Sequence, residues 1–570
     1  MAMNLLRASA RSARLSRPAV LSARTSLPSQ ARAYSSATGQ PKPKSNTPWA
    51  IGSLLVFGPL LFQVTSPPPK KKQAKPVVET PVAAVAPVKE EPKVQKPYVL
   101  IGGGTASFAA AQAIKEKDPN ANVIIIAEEE YAPYMRPPLS KELWFSEDPE
   151  VAKNLVFKDW QGTERNTIYQ DASEYEVIDN AAGSDLETTK TKLLFNQVTG
   201  LNVEDHTVTL KDGSIIYYNK VLIATGGAPK QLPGQSNQAQ VTTYRSVKDF
   251  QKLDGIVKNG ASIAVIGGGF LGSELAVALA HRAEKENVKV TQVFPEDGNM
   301  ANVFPTYLTK WTTSRVRQLG VDVKTNKKIQ AIKPAENNKV TLELEDGEQL
   351  IVDHVVVAVG IEPRVDLARE AGLEIDEKRA GVIVNAELEA RKDVFAAGDM
   401  VSFHDIQLGR RRIEHHDHAV LSGRHAGENM VGGAKPYTHQ SMFWSDLGPE
   451  IGYEAVGLVD SQLSTVSVWA KATAKDTPAV GAALEAESPR GAPGAQPSVV
   501  EQVAEKKNAF AEEKFGKGIV FYVRDKKIVG LLLFNVFGKV QEARDIINAG
   551  HTSDKIDGLL KQFNLHDDSH

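Results

Sequence analysis

The pattern of apolar runs and glycine turns predicts an α/β protein with two Rossmann-like units and a C-terminal α+β domain. Three observations lead there. The stretch YVLIGGGTASFAA, residues 98–110, runs an apolar strand into a glycine turn and then an alanine-rich helix. The stretch SIAVIGGGFLGSELA, residues 262–276, repeats that order. Far downstream, GIVFYVRDKKIVGLLLFNV, residues 518–536, alternates as a hairpin with its turn at RDKK. A strand that feeds a glycine turn and a helix finds its parallel partner about thirty residues on, which is the βαβ unit.

In chain order, residues 1–35 come first. Arg7, Arg11, Arg14, Arg17, Arg24 and Arg32 are spread among Ser, Ala and Leu without an acid. That is the composition of a mitochondrial presequence, with RAYS (32–35) as its processing site; a plain basic tail is the alternative. Residues 36–48 are a spacer. Residues 49–65 begin with WAIGSLLVFGPLLFQV, which no charge interrupts, and Lys70, Lys71 and Lys72 follow. This reads as a single membrane anchor. Sixteen helical residues span about 24 Å against a hydrocarbon core of about 30 Å, so flanking residues must cover the mismatch. A cleaved sorting signal is the alternative. Residues 66–96 are a Pro- and Lys-rich linker.

Residues 97–241 hold the first part of the first dinucleotide domain, with NVIIIAEE as its second strand and VLIATGGAPK at its close. Residues 242–360 form the second dinucleotide domain, ending in HVVVAVG. Residues 361–441 return to the first domain through DVFAAGDM (393–400). Residues 442–570 are the C-terminal α+β domain, with an Ala-, Pro- and Glu-rich insertion at about 473–512.

In G-x-G-x-x-G the first glycine allows the tight turn and the second lets backbone approach a pyrophosphate. The third lets helix and strand pack closely. Gly102 and Gly104 hold the first two positions of the first copy and Ser107 the third, whereas Gly267, Gly269 and Gly272 fill all three in the second. Serine costs only close packing, so both turns are expected to bind. Glu128 follows Gly102 by 26 residues and Glu296 follows Gly267 by 29. An acid there accepts ribose hydroxyls and repels a 2′-phosphate, so the second site should prefer NADH to NADPH. Two nested dinucleotide domains and a late AAGD imply a glutathione-reductase-like flavoprotein: FAD in the first site and NADH in the second. Asp399 resembles the acid that receives the ribityl chain. IATGG (223–227) and AVGIEP (358–363) resemble the domain crossovers.

Composition narrows the chemistry. The absence of cysteine excludes disulfides, thiolate zinc, iron–sulfur clusters and a redox-active thiol pair. If the protein is a redox protein, its chemistry must therefore reside in a bound cofactor. Residues 1–78 carry twelve of the 67 basic residues and none of the 69 acidic ones, so the remainder is formally about −14. DNA binding by such a body is possible only through a local basic patch, and would be strongly salt-sensitive. In EHHDH (414–418), His415, Asp417 and His418 lack the i, i+4 imidazole pair of a helical metal site, so no metal is expected.

Longer motifs carry a resemblance. PYMRPPLSKELWF (133–145), GGGFLGSELA (267–276), FPEDGNM (294–300), GRRRIEHHDHAV (409–420) and HQSMFWSDLGPEIGYEA (439–455) together resemble the apoptosis-inducing factor family. The likeness covers roughly residues 97–460 and 516–565. It implies FAD contacts at Gly102, Gly103, Gly104, Thr105, Ala106, Glu128, Glu129, Arg136, Lys141, Val198, Lys230, Asp399, His415, His416 and Trp444. It implies NAD contacts at Gly267, Gly269, Phe270, Leu271, Gly272, Glu274, Glu296, Gly360, Glu414, His415, Trp444, Glu454 and Asn535. Lys141, Glu274, His415 and Trp444 would act at the reacting centre, with Glu274 pairing Lys141. Two positions depart from the family: Lys230 stands where animal members carry Arg, and Asn302 where they carry Lys.

The resemblance also implies a low-turnover NADH oxidase chemistry and a homodimer on reduction, held by a flavin–nicotinamide charge-transfer complex. It implies an inner-membrane anchor with the body in the intermembrane space, and a disulfide-relay import oxidoreductase as partner in respiratory-chain assembly. Nuclear relocation in caspase-independent cell death belongs to the same picture. There GRRR (409–412) would be a nuclear signal, against the alternative of a solvated basic turn. A type II NADH:quinone oxidoreductase and a ferredoxin-type reductase are the rival enzymes. The first would want an amphipathic C-terminal membrane helix, and DGLLKQFNLHDDSH is short and acid-rich.

Overall fold

The computed structural model describes residues 96–159, 162–185, 188–232, 235, 238–258, 260–448, 451–470 and 515–565. The expected presequence, spacer and anchor, the linker except its last residue, Lys96, and the insertion at 473–512 lie outside the described residues. Among the described residues no helix is long and apolar enough to cross a membrane.

Short runs of Val, Ile and Leu become parallel strands because crossover helices cover them, and strands so covered need apolar residues throughout. Strand Tyr98–Ile101 is central in a seven-stranded sheet. The order is Glu389–Arg391, Val394–Ala396, Lys220–Ile223, Tyr98–Ile101, Val123–Ala127, Lys192–Phe195, Glu176–Ile178. All neighbours run parallel except the edge strand Glu389–Arg391. Lys220–Ile223 and Val394–Ala396 are neighbours although the second unit is inserted between them in sequence. The strands before and after the inserted unit thus lie side by side in one sheet.

The inserted unit is a five-stranded parallel sheet, ordered Val241–Thr243, His354–Val357, Ser262–Ile266, Lys289–Val293, Asp322–Lys324. An antiparallel meander, Ile329–Pro334, Val340–Leu344 and Gln349–Val352, accompanies it. The two crossover segments meet, with Gly227–Pro229 pairing antiparallel to Ile361–Pro363. The C-terminal sheet is antiparallel, ordered Met442–Leu447, Ile451–Gly457, Lys527–Phe534, Lys517–Arg524, Ser464–Ala470. Its hairpin turns at Asp525 (φ 51°) and Lys526 (φ 65°), the paired left-handed residues that match strand twist. Helix Val540–Asn548 covers this sheet with Val540, Ala543, Ile546 and Ile547.

Helix Thr105–Lys117 packs closely on helix His416–Met430. A Cβ on Gly423 would lie 2.3 Å from the Ala106 carbonyl oxygen, and one on Gly427 would lie 2.5 Å from that of Ala110. Glycine on the later helix thus allows the contact that sets His415 and His416 beside the first glycine turn.

Candidate functional site

The two glycine turns have the same geometry. Gly102 has φ +117° and Gly267 has φ +126°, values that L side chains avoid. A Cβ on Gly102 would lie 2.4 Å from the Ala224 carbonyl oxygen, and one on Gly267 would lie 2.3 Å from that of Ala358. Each turn opens a helix, Thr105–Lys117 and Phe270–Glu286, whose first amides have no side-chain cap. Uncapped amides at a positive helix end suit phosphate. The third positions differ. A Cβ on Gly272 would strike the Gly267 carbonyl oxygen at 2.2 Å, whereas Ser107 fits fully buried with no partner for its Oγ.

One cavity of about 1160 Å³ begins at the first turn and extends to the second helix. It is larger than the usual small-molecule site of about 300–1,000 Å³ and has room for an extended dinucleotide. Gly102, Gly103, Gly104, Thr105, Ala106, Glu128, Glu129, Arg136, Val198 and Asp399 line it, together with Lys141, Phe270, Leu271, Glu274, Glu414, His415, His416 and Trp444. A Cβ on Gly104 would meet no protein atom within 4 Å, so a side chain there would intrude on the cavity. These residues fit a flavin dinucleotide.

Charges are arranged in two clusters. In the first, Arg136 pairs with Glu129 at 2.9 Å and donates to Tyr134 Oη and to the Arg245 carbonyl. Burial resists the Glu129 charge, but Arg136 and the Tyr134 hydroxyl outweigh it and hold the carboxyl below its usual range. Arg245 donates to Asp399 at 3.2 Å. In the second cluster, Lys141 Nζ and Ser140 Oγ donate to one Glu274 oxygen at 2.9 and 2.6 Å, and Ser445 Oγ donates to the other at 2.6 Å. Lys141 belongs to the first unit, Glu274 to the second and Ser445 to the C-terminal sheet. A buried pair is tolerable because hydrogen bonds satisfy both carboxylate oxygens.

Aromatic rings line the same end. His415 stacks on Phe443 at 4.5 Å and meets Phe270 edge-on at 6.4 Å, while His416 meets Trp444 edge-on at 5.6 Å. Burial depresses both imidazoles to about 4, so they are neutral at physiological pH.

Other expected residues lie elsewhere. Gly267, Gly269 and Gly272 belong to the second turn, and Glu296 follows the strand Lys289–Val293, outside the wall of this cavity. Lys230 is exposed at the crossover, where its amide donates to the Gly360 carbonyl. Glu454 and Asn535 are buried in the C-terminal sheet, and Asn535 is fixed by bonds to Gly452 and Gly516. Sequence reasoning missed Arg245, which stands against Asp399 in the cavity wall. It also missed Ser140 and Ser445; nothing in their spacing marks them, because their roles exist only where three chain segments meet. No group of acids and imidazoles able to hold a metal occurs among the described residues.

GRRR is not a solvated turn. Arg410 donates to the Ser402 carbonyl. Arg411 pairs with buried Asp405 at 2.9 Å and reaches the Gly457 carbonyl. Arg412 donates to the Arg379 and Asp399 carbonyls.

Comparison with known proteins follows this geometry. The family model "Pyridine nucleotide-disulphide oxidoreductase" matches residues 96–423, and "Apoptosis-inducing factor, mitochondrion-associated, C-term" matches 426–549. Apoptosis-inducing factor 1, mitochondrial, of Dictyostelium discoideum is 39% identical over 469 residues, 81% of this chain and 80% of its own. The chain belongs to the apoptosis-inducing factor family. A Drosophila melanogaster protein whose name places it with mitochondrial apoptosis-inducing factor 1 is 42% identical over 509 residues, covering 85% of this chain and 67% of its own. Like other members, the chain is an NADH-dependent oxidoreductase that uses FAD and NAD(H). Among solved structures, putidaredoxin reductase in its covalent complex with putidaredoxin superposes with a TM-score of 0.61 at 21% identity. That match covers 83% of this chain and 99% of its own. A ferredoxin reductase from Rhodopseudomonas palustris gives 0.59 at 23%, covering 80% and 100%. These two share the fold.

Proposed function

We propose that this apoptosis-inducing factor family member oxidises NADH at the end of the cavity where Lys141 and Glu274 meet, with FAD along the first glycine turn. The observation that carries this reading is the buried Lys141–Glu274 pair at 2.9 Å, which joins the two dinucleotide units on the cavity wall. Bound FAD supplies the two-electron acceptor and the nicotinamide the electrons. The chain's part is position and electrostatics. The uncapped amides after Gly104 and the Arg136 and Arg245 guanidinium groups favour phosphate. Asp399 accepts hydroxyls. Lys141 presents a positive charge, held in place by Glu274, Ser140 and Ser445. Phe270, Phe443 and Trp444 exclude water, and neutral His415 and His416 add no charge to the reacting end. In the second unit, the turn at Gly267, Gly269 and Gly272 and the acid Glu296 would take the adenosine half of NADH, as motif position suggests.

The finer assignment rests on family kinship. It comprises low turnover, an NADH-favoured dimer, anchorage to the inner mitochondrial membrane through residues 49–65, a disulfide-relay partner and a part in cell death. Relatives named mitochondrial support the compartment. A ferredoxin-type acceptor is the second reading. The relative named anthranilate 1,2-dioxygenase system ferredoxin–NAD(+) reductase component, from Burkholderia cepacia, is 29% identical over 65% of this chain.

The deciding experiment adds NADH without oxygen to the FAD-loaded protein and follows absorbance together with sedimentation. A persistent long-wavelength band with a monomer-to-dimer shift is expected. Prompt reoxidation by ferredoxin or quinone, with no change in mass, would replace this reading with a working electron-transfer reductase.

A further inference from the structure

From the GRRR turn, which the site as described leaves without a role, we propose that Arg412 is a positioning residue holding both acids that face the two cofactors. The strand Gly409–Arg411 pairs with Val401–Asp405 and delivers Arg412 behind the cavity. Its Nε donates to the Arg379 carbonyl at 2.6 Å. Its Nη1 donates to the Asp399 carbonyl at 3.1 Å and pairs with Glu414 Oε1 at 2.5 Å. One guanidinium nitrogen therefore ties the backbone of the flavin-side acid to the carboxylate of the nicotinamide-side acid.

The stem of Arg412 is held as well as its head. A Cβ on Gly381 would lie 2.9 Å from Arg412 Cδ, so the methylenes fill the space that this glycine leaves. The side chain is only 17% exposed, and Arg412 is not among the residues lining the cavity. It acts through Asp399 and Glu414. The arrangement needs a planar fork. The Nε bond fixes the plane, which leaves Nη1 to span both acids. A lysine ammonium could reach one acid and would lose the Arg379 anchor.

The inference rests on the proposed reading that Asp399 faces FAD and Glu414 faces NADH. Its test uses the full-length FAD-loaded protein and the variants Arg412→Gln, Arg412→Lys and Arg410→Ala. Two quantities are read: the rate of FAD release and the KM for NADH beside kcat. Arg412→Gln is expected to raise both FAD release and KM about tenfold, the cost of losing charge-assisted bonds, with kcat changed less. Arg412→Lys should fall between it and the parent. Arg410→Ala, which loses only a bond to Ser402, should match the parent. Combining Arg412→Gln with Glu414→Gln should raise KM no further than the larger single effect.

A soluble Arg412→Gln protein that lowers only the melting temperature would overturn the proposal. So would a fully additive double variant. If Arg412→Gln does not fold, Arg412→Lys decides, and parental values for it would refute the link. If Asp399→Asn and Glu414→Gln themselves leave FAD release and KM unchanged, the placement of the cofactors fails instead.

Discussion

Lys141 and Glu274 are 133 residues apart in the chain and 2.9 Å apart in the fold, both nearly sealed from water. Each comes from a different dinucleotide unit, so the pair exists only when the two units are docked. Removing one partner leaves the other charged group buried. Glu274→Ala should cost on the order of 3 kcal/mol of stability and slow flavin reduction by NADH. Urea unfolding and anaerobic stopped-flow absorbance measure the two effects. A variant as stable as the parent would mean that water reaches Lys141 freely.

The two glycine turns should separate the two cofactors. Gly102→Ala drives a Cβ into the Ala224 carbonyl, and Gly267→Ala does the same at Ala358. The first is expected to purify without flavin. The second is expected to keep FAD and lose NADH-dependent reduction while dithionite still reduces it. Flavin content and NADH titration read the difference.

Buried histidines predict how stability changes with acid. The His415 and His416 values lie near 4 and that of His418 near 3, against 6.5 for a free imidazole, each lowered first by burial. Between 6.5 and the folded values the unfolded chain binds protons that the folded chain refuses. Stability is therefore full above about 6.5 and falls as pH drops towards 4. Each such histidine adds a slope of about 1.4 kcal/mol per pH unit. Replacing His418 by Phe should remove one histidine's share of that slope, measured as the urea midpoint against pH. An unchanged slope would show that His418 protonates in the folded state.

Arg411 joins the first unit to the C-terminal sheet through Asp405 and the Gly457 carbonyl. Arg411→Ala should destabilise by roughly 3 kcal/mol, because Asp405 stays buried. Hydrogen exchange should rise first in the strand Ile451–Gly457. Faster exchange confined to Val401–Asp405 would show that the bond to Gly457 carries nothing.

Local pattern made much of this protein readable. Strand, glycine turn and helix follow one another within thirty residues, so both βαβ units showed in YVLIGGG and SIAVIGGG. The RDKK hairpin was legible because its register depends on adjacent residues. Lys141, Glu274, His415 and Trp444 were read from long motifs, and the structure brings all four to one cavity. Arg245 was not legible, whereas Lys230 was named from the motif that carries it. Both are basic residues near a crossover, and only the path of the chain after Pro229 sets one against Asp399 and leaves the other exposed.

The sequence by itself determined the class of protein: two dinucleotide turns, an acid after each, and no cysteine to carry electrons. These follow from covalent order, since φ preference and strand periodicity act over a few residues. Only the tertiary structure decided which charges meet. Ser140, Ser445 and Glu274 come from three segments, and the basic run GRRR becomes three inward-bonded struts. A charge near the surface is solvated by water, and the same charge in a packed seam must find a carbonyl or a carboxylate. Which of these befalls an arginine depends on how neighbouring segments pack against it: Arg411 and Arg412 reach Gly457 and Arg379, 46 and 33 residues away.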